Sequence, residues 1–410
     1  MRIGRSGVRS RSVGAAIAAL GVTQIVGWGT THYMTAILAG SIADGLGLSP
    51  TTVLGGFSWG LLVAGASAST SGRLMDRHGA GRVMMFASIL SAAGLLVISL
   101  ARGWPALFAG WTLIGLAMRS ILYDGAFAAL TVLAGDGARR AISLVTLFGG
   151  FASSVFWPIG AWLDASFGWR AALQVYALLN LLPCALLHVR YAGGPHRRPA
   201  GADAGLEALA SQTLLPAEDA RRALALLAVG FTLHAFINSA IGAHLVMLLG
   251  GFGYGAAVVV TTASLMGPAQ VVARVAEMSL QRRFSAVAVA LPSIALMPIA
   301  FVAALALPVQ PWAAGLFVML YGCANGLMTI VRGTLPLAVF GSRGYGELLG
   351  RIAGPGLLAA AAAPVTLSAL VEAAGPRAGL ALLAACAFGA LVSIAAVVRL
   401  VRRAAPLPPG

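Results

Sequence analysis

Charged residues are scarce in this sequence. They make up 10% of the 410 residues, whereas hydrophobic residues make up 59%. A soluble domain usually contains about 25% charged residues, and the mean hydropathy here is +0.90. This deficit excludes an ordinary soluble globular domain and indicates a protein that lies in lipid.

Lysine is absent and cysteine is rare. Without lysine the chain has no nucleotide-binding loop of the GxxxxGK[ST] type, which excludes ATP-driven transport by this chain alone. Cys184, Cys323 and Cys386 are too far apart for a metal or redox motif, so we expect them to be small packing residues. The apolar segments also lack a zinc, serine or paired-aspartate arrangement. We therefore expect no metal, no cofactor and no enzymatic activity.

Long apolar runs are what the sequence has in abundance. Spanning the hydrocarbon of a bilayer takes roughly 20 apolar residues in a helix. Twelve runs are of this kind, so we predict an all-α integral membrane protein with twelve transmembrane helices. The runs are 13–39, 51–71, 82–101, 105–130, 142–163, 171–190, 222–249, 256–276, 285–307, 312–335, 352–372 and 378–400.

The arginines are distributed unevenly along the chain. If the N-terminus is cytoplasmic, 22 of the 27 basic residues fall in the two tails or in loops on the cytoplasmic side. Only Arg102, Arg170 and Arg377 fall on the opposite side, while Arg119 and Arg332 lie within helices. This asymmetry follows the positive-inside rule and predicts that both termini are cytoplasmic. The net charge of +15 is therefore a topology signal that needs no nucleic-acid partner.

A polar stretch, residues 190–222, separates the first six runs from the last six. It is rich in proline, glycine and charge, and is typical of a linker, with a possible short helix near 203–211. We predict an N-terminal six-helix bundle over 1–191, a cytoplasmic linker over 192–221 and a C-terminal six-helix bundle over 222–410.

An internal repeat supports this division into two halves. The segment GRLMDRHGAGR (72–82) aligns with ARVAEMSLQRR (273–283), and each follows the second helix of its half. The alignment pairs Arg73 with Arg274, Asp76 with Glu277 and Arg82 with Arg283.

The segment 72–82 resembles the signature loop of the major facilitator superfamily, between helices two and three. The sequence FGWR (167–170), which opens helix six, is also common in that family. The resemblance implies two six-helix bundles related by pseudo-two-fold symmetry, and a secondary transporter that works by alternating access.

The resemblance also implies a role for the charged loop as a conformational latch. Glycines 72 and 79 allow a tight turn, and Asp76 would cap a helix N-terminus in the other half. The arginines would pair locally and with lipid headgroups, or would only fix the topology. The predicted latch residues are Gly72, Arg73, Asp76, Arg77, Gly79, Arg82, Arg274 and Glu277.

In this superfamily, helices one, four, seven and ten line the central cavity, and all four carry polar stripes at helical spacing here. We expect these stripes to bind substrate. The predicted substrate-binding residues are Gln24, Trp28 and His32 in helix one, Arg119 and Tyr123 in helix four, His234 and Asn238 in helix seven, and Asn325 and Arg332 in helix ten.

Arg119 is the most informative of these residues. A guanidinium within the membrane stays charged and costs about 3 kcal/mol or more unless it is paired or hydrated. It either recognises an anionic substrate or pairs with Asp124. Asp124 is five positions away, about 140° around a regular helix, so we expect it not to share a face with Arg119. The first interpretation is therefore favoured.

Three further residues leave alternatives open. Asp124 is either a proton carrier or a partner of loop arginines such as Arg77. His32 and His234 either couple transport to protons or only form hydrogen bonds. Arg332 is a second anion contact or part of an inner gate.

We therefore expect a secondary transporter for a small organic anion, loosely similar to the monocarboxylate and oxalate/formate branch. The alternative is an exporter of drugs or other amphipathic compounds, for which Trp28, Phe231 and Met328 would matter more. A receptor that binds ligand without transport is a third possibility. The expected partners are a small-molecule substrate, a proton in some mechanisms, and membrane lipids. The composition, rich in alanine and arginine and without lysine, favours a location in a bacterial inner membrane. Because one chain contains both halves, we expect a functional monomer.

Overall fold

A computed structural model describes residues 4–192 and 215–404 as helices joined by short turns, with no strand within those two ranges. Contacts divide the chain into two compact units. The first contains residues 1–201 together with Gly344–Gly350, and the second contains the remainder. Most of the predicted linker and its short helix lie outside the described residues, so the predicted bundle boundaries stay predictions.

The first unit contains the first six predicted spans. Its helices, in chain order, are Gly4–Trp28, a π-helical turn Gly29–Tyr33, Met34–Leu46, Pro50–His78, Ala80–Ser99, Trp104–Ile121, Tyr123–Ala134, a 3-10 turn Gly135–Gly137, Ala138–Gly150, Ala152–Leu179, a second π-helical turn Asn180–Cys184, and Ala185–Tyr191.

The second unit contains the remaining spans. Its helices are Ala217–Gly251, Ala256–Ser264, Met266–Leu280, Ala286–Ala306, Pro311–Phe340 and most of Tyr345–Ala404.

In the described chain, nine continuous stretches are long and apolar enough to cross a membrane, and together they contain twelve spans. Two of the nine are composite. Trp104–Tyr191 contains the fourth, fifth and sixth spans, and Tyr345–Ala404 contains the eleventh and twelfth. The predicted all-α membrane fold with twelve helices is confirmed.

Two glycines separate the spans within the composite helices. Gly168 has φ 79° and ψ 161°, and Gly375 has φ 82° and ψ 170°. Only glycine adopts such a backbone without strain. The surrounding sequences, GWRAAL (168–173) and GPRAGL (375–380), form a second repeat that the sequence analysis did not identify. Its first member is anchored by Arg170, which donates to the carbonyl oxygen of Ser99 at 2.6 Å.

Glycine also permits close packing at equivalent places in the two units. A Cβ added to Gly115, in the fourth span, would lie 2.4 Å from the carbonyl oxygen of Gly60 in the second span. A Cβ added to Gly322, in the tenth span, would lie 2.9 Å from the carbonyl oxygen of Met266 in the eighth. Gly115 and Gly322, each in the fourth span of its half, therefore make the same kind of helix contact in the two units.

This packing yields a stability prediction. Gly115→Ala forces a methyl group against backbone, and overpacking of this kind costs typically 1–3 kcal/mol. We expect a lower thermal unfolding midpoint in detergent than for the wild type. The matched control is Gly315→Ala, because nothing lies within 4 Å of a Cβ at that position. Equal midpoints for the two variants would contradict the close approach at Gly115.

Candidate functional site

Asp76 lies at the end of the second span and accepts two backbone hydrogen bonds. Gly346 N donates to Oδ1 at 3.1 Å and Glu347 N donates to Oδ2 at 2.8 Å. Both amides belong to the first turn of helix Tyr345–Ala404, whose N–H groups have no partner within the helix. The carboxylate thus caps a helix start, and the capped turn belongs to the same compact unit as Asp76. Its role as a latch stays a prediction.

Glycine makes this contact possible. A Cβ on Gly72 would lie 2.2 Å from the carbonyl oxygen of Gly346. Gly79 ends helix Pro50–His78 with φ 88°, a region that favours glycine. Arg73, Arg77 and Arg82 are exposed, and Nη1 of Arg73 lies 4.0 Å from Oε1 of Glu347.

The repeat-related residues of the second unit have a different environment. Arg274 is buried, and its Nε donates to the carbonyl oxygen of Gly326 at 3.4 Å, while its Nη2 lies 3.3 Å from Oε1 of Gln270. Glu277 is also buried and accepts a hydrogen bond from Gln281 at 2.7 Å. Arg274 therefore ties the eighth span to the tenth, whereas its counterpart Arg73 is largely exposed.

The fourth span is broken at Leu122. The preceding helix ends at Ile121, the next begins at Tyr123, and Leu122 between them is extended, with φ −90° and ψ −163°. Gly125 accommodates the break, because a Cβ there would lie 1.8 Å from the carbonyl oxygen of Ser120.

This break brings Arg119 and Asp124 together. Nη1 of Arg119 and Oδ2 of Asp124 form an ion pair, and the two residues are only 5% and 3% exposed. The expectation that Asp124 faces away from Arg119 is therefore wrong. It assumed a continuous helix of 3.6 residues per turn, and the extended residue between them changes the direction of the second side chain.

Gln24 of the first span forms a hydrogen bond with the backbone at the break. It is fully buried, and its Nε2 donates to the carbonyl oxygen of Ile121 at 2.9 Å. That carbonyl lies at the end of a helix and has no partner one turn further on. The other amide atom, Oε1, has no hydrogen-bond partner within the described parts of the chain.

An aromatic cluster lies beside the ion pair. The ring of Trp28 is 4.5 Å from that of His32 and 5.1 Å from that of Tyr123, measured between centroids. The ring of Phe57, which the sequence analysis missed, is 5.6 Å from that of His32. The hydroxyl of Tyr123 donates to the carbonyl oxygen of Thr146 at 3.3 Å, which fixes the position of its buried ring.

The first span contains a π-helical turn immediately after Trp28. Such turns often mark functional sites. A second π-helical turn begins at Asn180 in the sixth span, and Asn180 Nδ2 donates to Oγ1 of Thr30 at 3.0 Å. Two irregular helices therefore meet through a side-chain hydrogen bond, and a buried asparagine was the only sequence signal for it.

The second unit holds the other predicted polar residues. The hydroxyl of Tyr321 donates to Oδ1 of Asn238 at 3.5 Å. His234 interacts with the side chain of Asn325 and lies within the electrostatic influence of Arg332. The residues predicted in the seventh and tenth spans are thus neighbours within this unit.

Known proteins resemble this chain in sequence and in fold. The sequence profile of the Major Facilitator Superfamily matches residues 19–350. The chain belongs to this superfamily. Its members are membrane transporters and not enzymes, and they bind small-molecule substrates. Among proteins with curated descriptions, none matches this sequence.

Solved structures of the superfamily share the fold. The human organic anion transporter MFSD10 (TETRAN) is 18% identical, with a TM-score of 0.71 over 94% of this chain and 99% of its own. The proton:xylose symporter XylE, bound to 6-bromo-6-deoxy-D-glucose, is 14% identical, with a TM-score of 0.67 over 94% and 95%. FucP in the outward conformation is 14% identical, with a TM-score of 0.67 over 97% and 100%. At these identities the likeness establishes the fold alone.

The cap at Asp76 is testable by substitution. Asp76→Ala removes the acceptor of two backbone amides, and hydrogen bonds to a charged group are each worth about 1.5–3 kcal/mol. We expect a clear drop in the thermal midpoint. Asp136→Ala, which removes an exposed carboxylate from the turn Gly135–Gly137, is the control and should change little. Equal midpoints for the two variants would argue against the cap.

The ion pair predicts a double-mutant cycle. Arg119→Gln or Asp124→Asn alone leaves a buried charge without its partner, which costs about 3–5 kcal/mol. We expect the double variant to recover most of that loss. The exposed pair Glu218 and Arg222 serves as the control, and its neutralisation should cost under about 0.5 kcal/mol. Additive effects of the Arg119 and Asp124 substitutions would show that the two residues are not coupled.

Proposed function

We propose that the chain is a secondary active transporter that moves a small organic anion, most simply a carboxylate, by alternating access. The observation that carries the proposal is a buried arginine next to a break in a transmembrane helix. A guanidinium offers a planar pair of N–H donors that matches a carboxylate. Broken helices are a recurrent device for building substrate sites within the membrane.

Asp124 refines this proposal. Arg119 already has a carboxylate partner, so an anionic substrate competes with Asp124 for the same guanidinium. Protonation of Asp124 removes that competitor and keeps the net charge of the buried group unchanged when the anion binds. The pair therefore provides a physical route to coupling between anion and proton. His32 and His234 are the other candidates for the proton, and neither is part of this ion pair.

The remaining predicted residues have supporting roles in this proposal. In the first unit, Gln24 holds the break, and Trp28 and Tyr123 form an apolar wall beside the charge. In the second unit, His234, Asn238, Asn325 and Arg332 are the candidates for a second set of polar contacts. We further propose a bacterial inner membrane as the location, with both termini cytoplasmic, because the arginines follow the positive-inside rule.

The exporter alternative has weaker support. It would use Trp28, which is partly exposed, together with Phe231 and Met328, which are buried, as Arg119 is. An amphipathic substrate would leave the buried charge pair without a function.

The test is ligand-dependent thermal stabilisation of the detergent-purified protein with carboxylates, amines and neutral lipophilic drugs. A ligand at 100 times its Kd stabilises the native state by about 2.7 kcal/mol. We expect carboxylates alone to raise the midpoint, and the double variant Arg119→Gln/Asp124→Asn to lose this effect. The double variant is preferred to Arg119→Gln because it leaves no buried charge unpaired.

Two results would contradict the proposal. Stabilisation by drugs that is unchanged in the double variant would favour the exporter and make the ion pair structural. Stabilisation by carboxylates that is unchanged in the double variant would place the anion elsewhere. Where a carboxylate binds, counterflow of that labelled compound in vesicles then separates a transporter from a receptor, which would bind without flux.

A further inference from the structure

We infer that the substrate is a planar aromatic carboxylate, whose ring packs on Trp28 while its carboxylate engages Arg119. This inference rests on the proposed anion-transport function and names its substrate class. The observation that carries it is the position of a partly exposed aromatic surface beside a buried ion pair.

The aromatic residues form two layers in the first unit. Trp111 and Phe127 are buried, and they pack behind Phe57 and Tyr123, with centroid distances of 5.3 Å and 5.4 Å respectively. In front of them, Trp28, His32 and Phe57 each keep part of their surface exposed. The buried layer fixes the positions of the front layer, so the partly exposed residues are preorganised for a ligand.

Trp28 is central to the front layer, and neither neighbouring ring stacks flat against it. Its ring is inclined by 48° to His32 and by 49° to Tyr123. Aromatic rings prefer offset-stacked or edge-to-face arrangements, with centroids 4.5–7 Å apart. A planar ligand ring can therefore contact Trp28 without displacing a partner that is already stacked on it.

The charge lies next to this aromatic surface. Tyr123, which contacts Trp28, directly precedes Asp124, and Asp124 pairs with Arg119 across the break. The ring of Tyr123 therefore connects the Trp28 ring to the segment that carries the charge. A ligand with one aromatic ring and one carboxylate matches this combination, whereas a short aliphatic acid leaves the ring surface unused.

Two buried polar atoms near this surface have no hydrogen-bond partner within the described residues. Trp28 Nε1 is a buried donor with no hydrogen-bond partner within the described residues, and Oε1 of Gln24, one turn away, is a buried acceptor with none. Leaving a buried polar group unsatisfied costs about 1–3 kcal/mol. A polar ligand beside Trp28 can supply partners for these two atoms.

The π-helical turn Gly29–Tyr33 sets the relation between Trp28 and His32. A π-helical turn has i→i+5 hydrogen bonds and is wider than an α-helical turn, so it changes the angle between residues four apart. Thr30 within the turn is held by Asn180, so the turn is fixed by a neighbouring span. The aromatic surface is therefore part of an irregular but anchored segment.

The experiment compares the binding of benzoate and cyclohexanecarboxylate to the full-length protein in detergent, by isothermal titration calorimetry. The two anions have the same number of carbon atoms and one carboxylate, but only benzoate is planar and aromatic. We expect benzoate to bind about 3- to 10-fold tighter, the range given by one aromatic contact. Acetate and the neutral benzamide complete the set, and both should bind more weakly than benzoate.

Variants at Trp28 identify the surface. Trp28→Leu should weaken the binding of benzoate more than that of cyclohexanecarboxylate and so abolish the preference, whereas Trp28→Phe should retain much of it. Trp312→Leu is the matched control, since Trp312 is a 57% exposed tryptophan of the tenth span, and it should leave the preference unchanged.

The outcomes separate the inference from the function on which it rests. Equal affinities for benzoate and cyclohexanecarboxylate, or a benzoate preference that survives in Trp28→Leu, would overturn the aromatic inference and leave anion transport standing. Absence of binding by every carboxylate, or binding of benzamide as tight as that of benzoate, would overturn anion recognition itself.

Discussion

A buried guanidinium and a buried carboxylate must compensate each other, because neither lipid nor packed side chains solvate a charge. In this protein, that requirement joins Arg119 to Asp124 and shapes the surrounding backbone. The helix is interrupted at Leu122, Gly125 supplies the space, and Gln24 from another span satisfies a carbonyl that the interruption releases. Without the break, the two charged side chains would lie on different faces of the helix.

The negative charge of Asp76 is stabilised by a different kind of contact. Its carboxylate accepts hydrogen bonds from two backbone N–H groups at the start of a helix. Backbone donors are fixed in position and always protonated, so this contact depends on helix position alone. Arg119 and Asp124 depend instead on a side-chain partner that a ligand or a proton can replace. The first contact suits a structural or conformational role, and the second suits binding.

The spans, the charged loop and the family were predictable from sequence, since apolar runs, arginine placement and the motif at 72–82 are local signals. The irregular backbone was not. No proline marks the break at Leu122, and the only sequence signals near it are Gly125 and two charged residues. A regular helical period therefore predicted the wrong angle between the side chains of Arg119 and Asp124. Phe57 and Asn180 were missed because they lie in spans where no cavity lining was expected. Gly168 and Gly375 lie in predicted gaps between spans, but the repeat in their flanking sequences was not identified.

The interruption at Leu122 also places two helix ends inside the membrane. Arg119 lies in the last turn of helix Trp104–Ile121, where the peptide dipoles leave partial negative charge, and Asp124 lies in the first turn of helix Tyr123–Ala134, where they leave partial positive charge. Each side chain is therefore stabilised by the helix that carries it as well as by its partner. Separating the ion pair therefore costs less energy than it would if neither residue lay at a helix end.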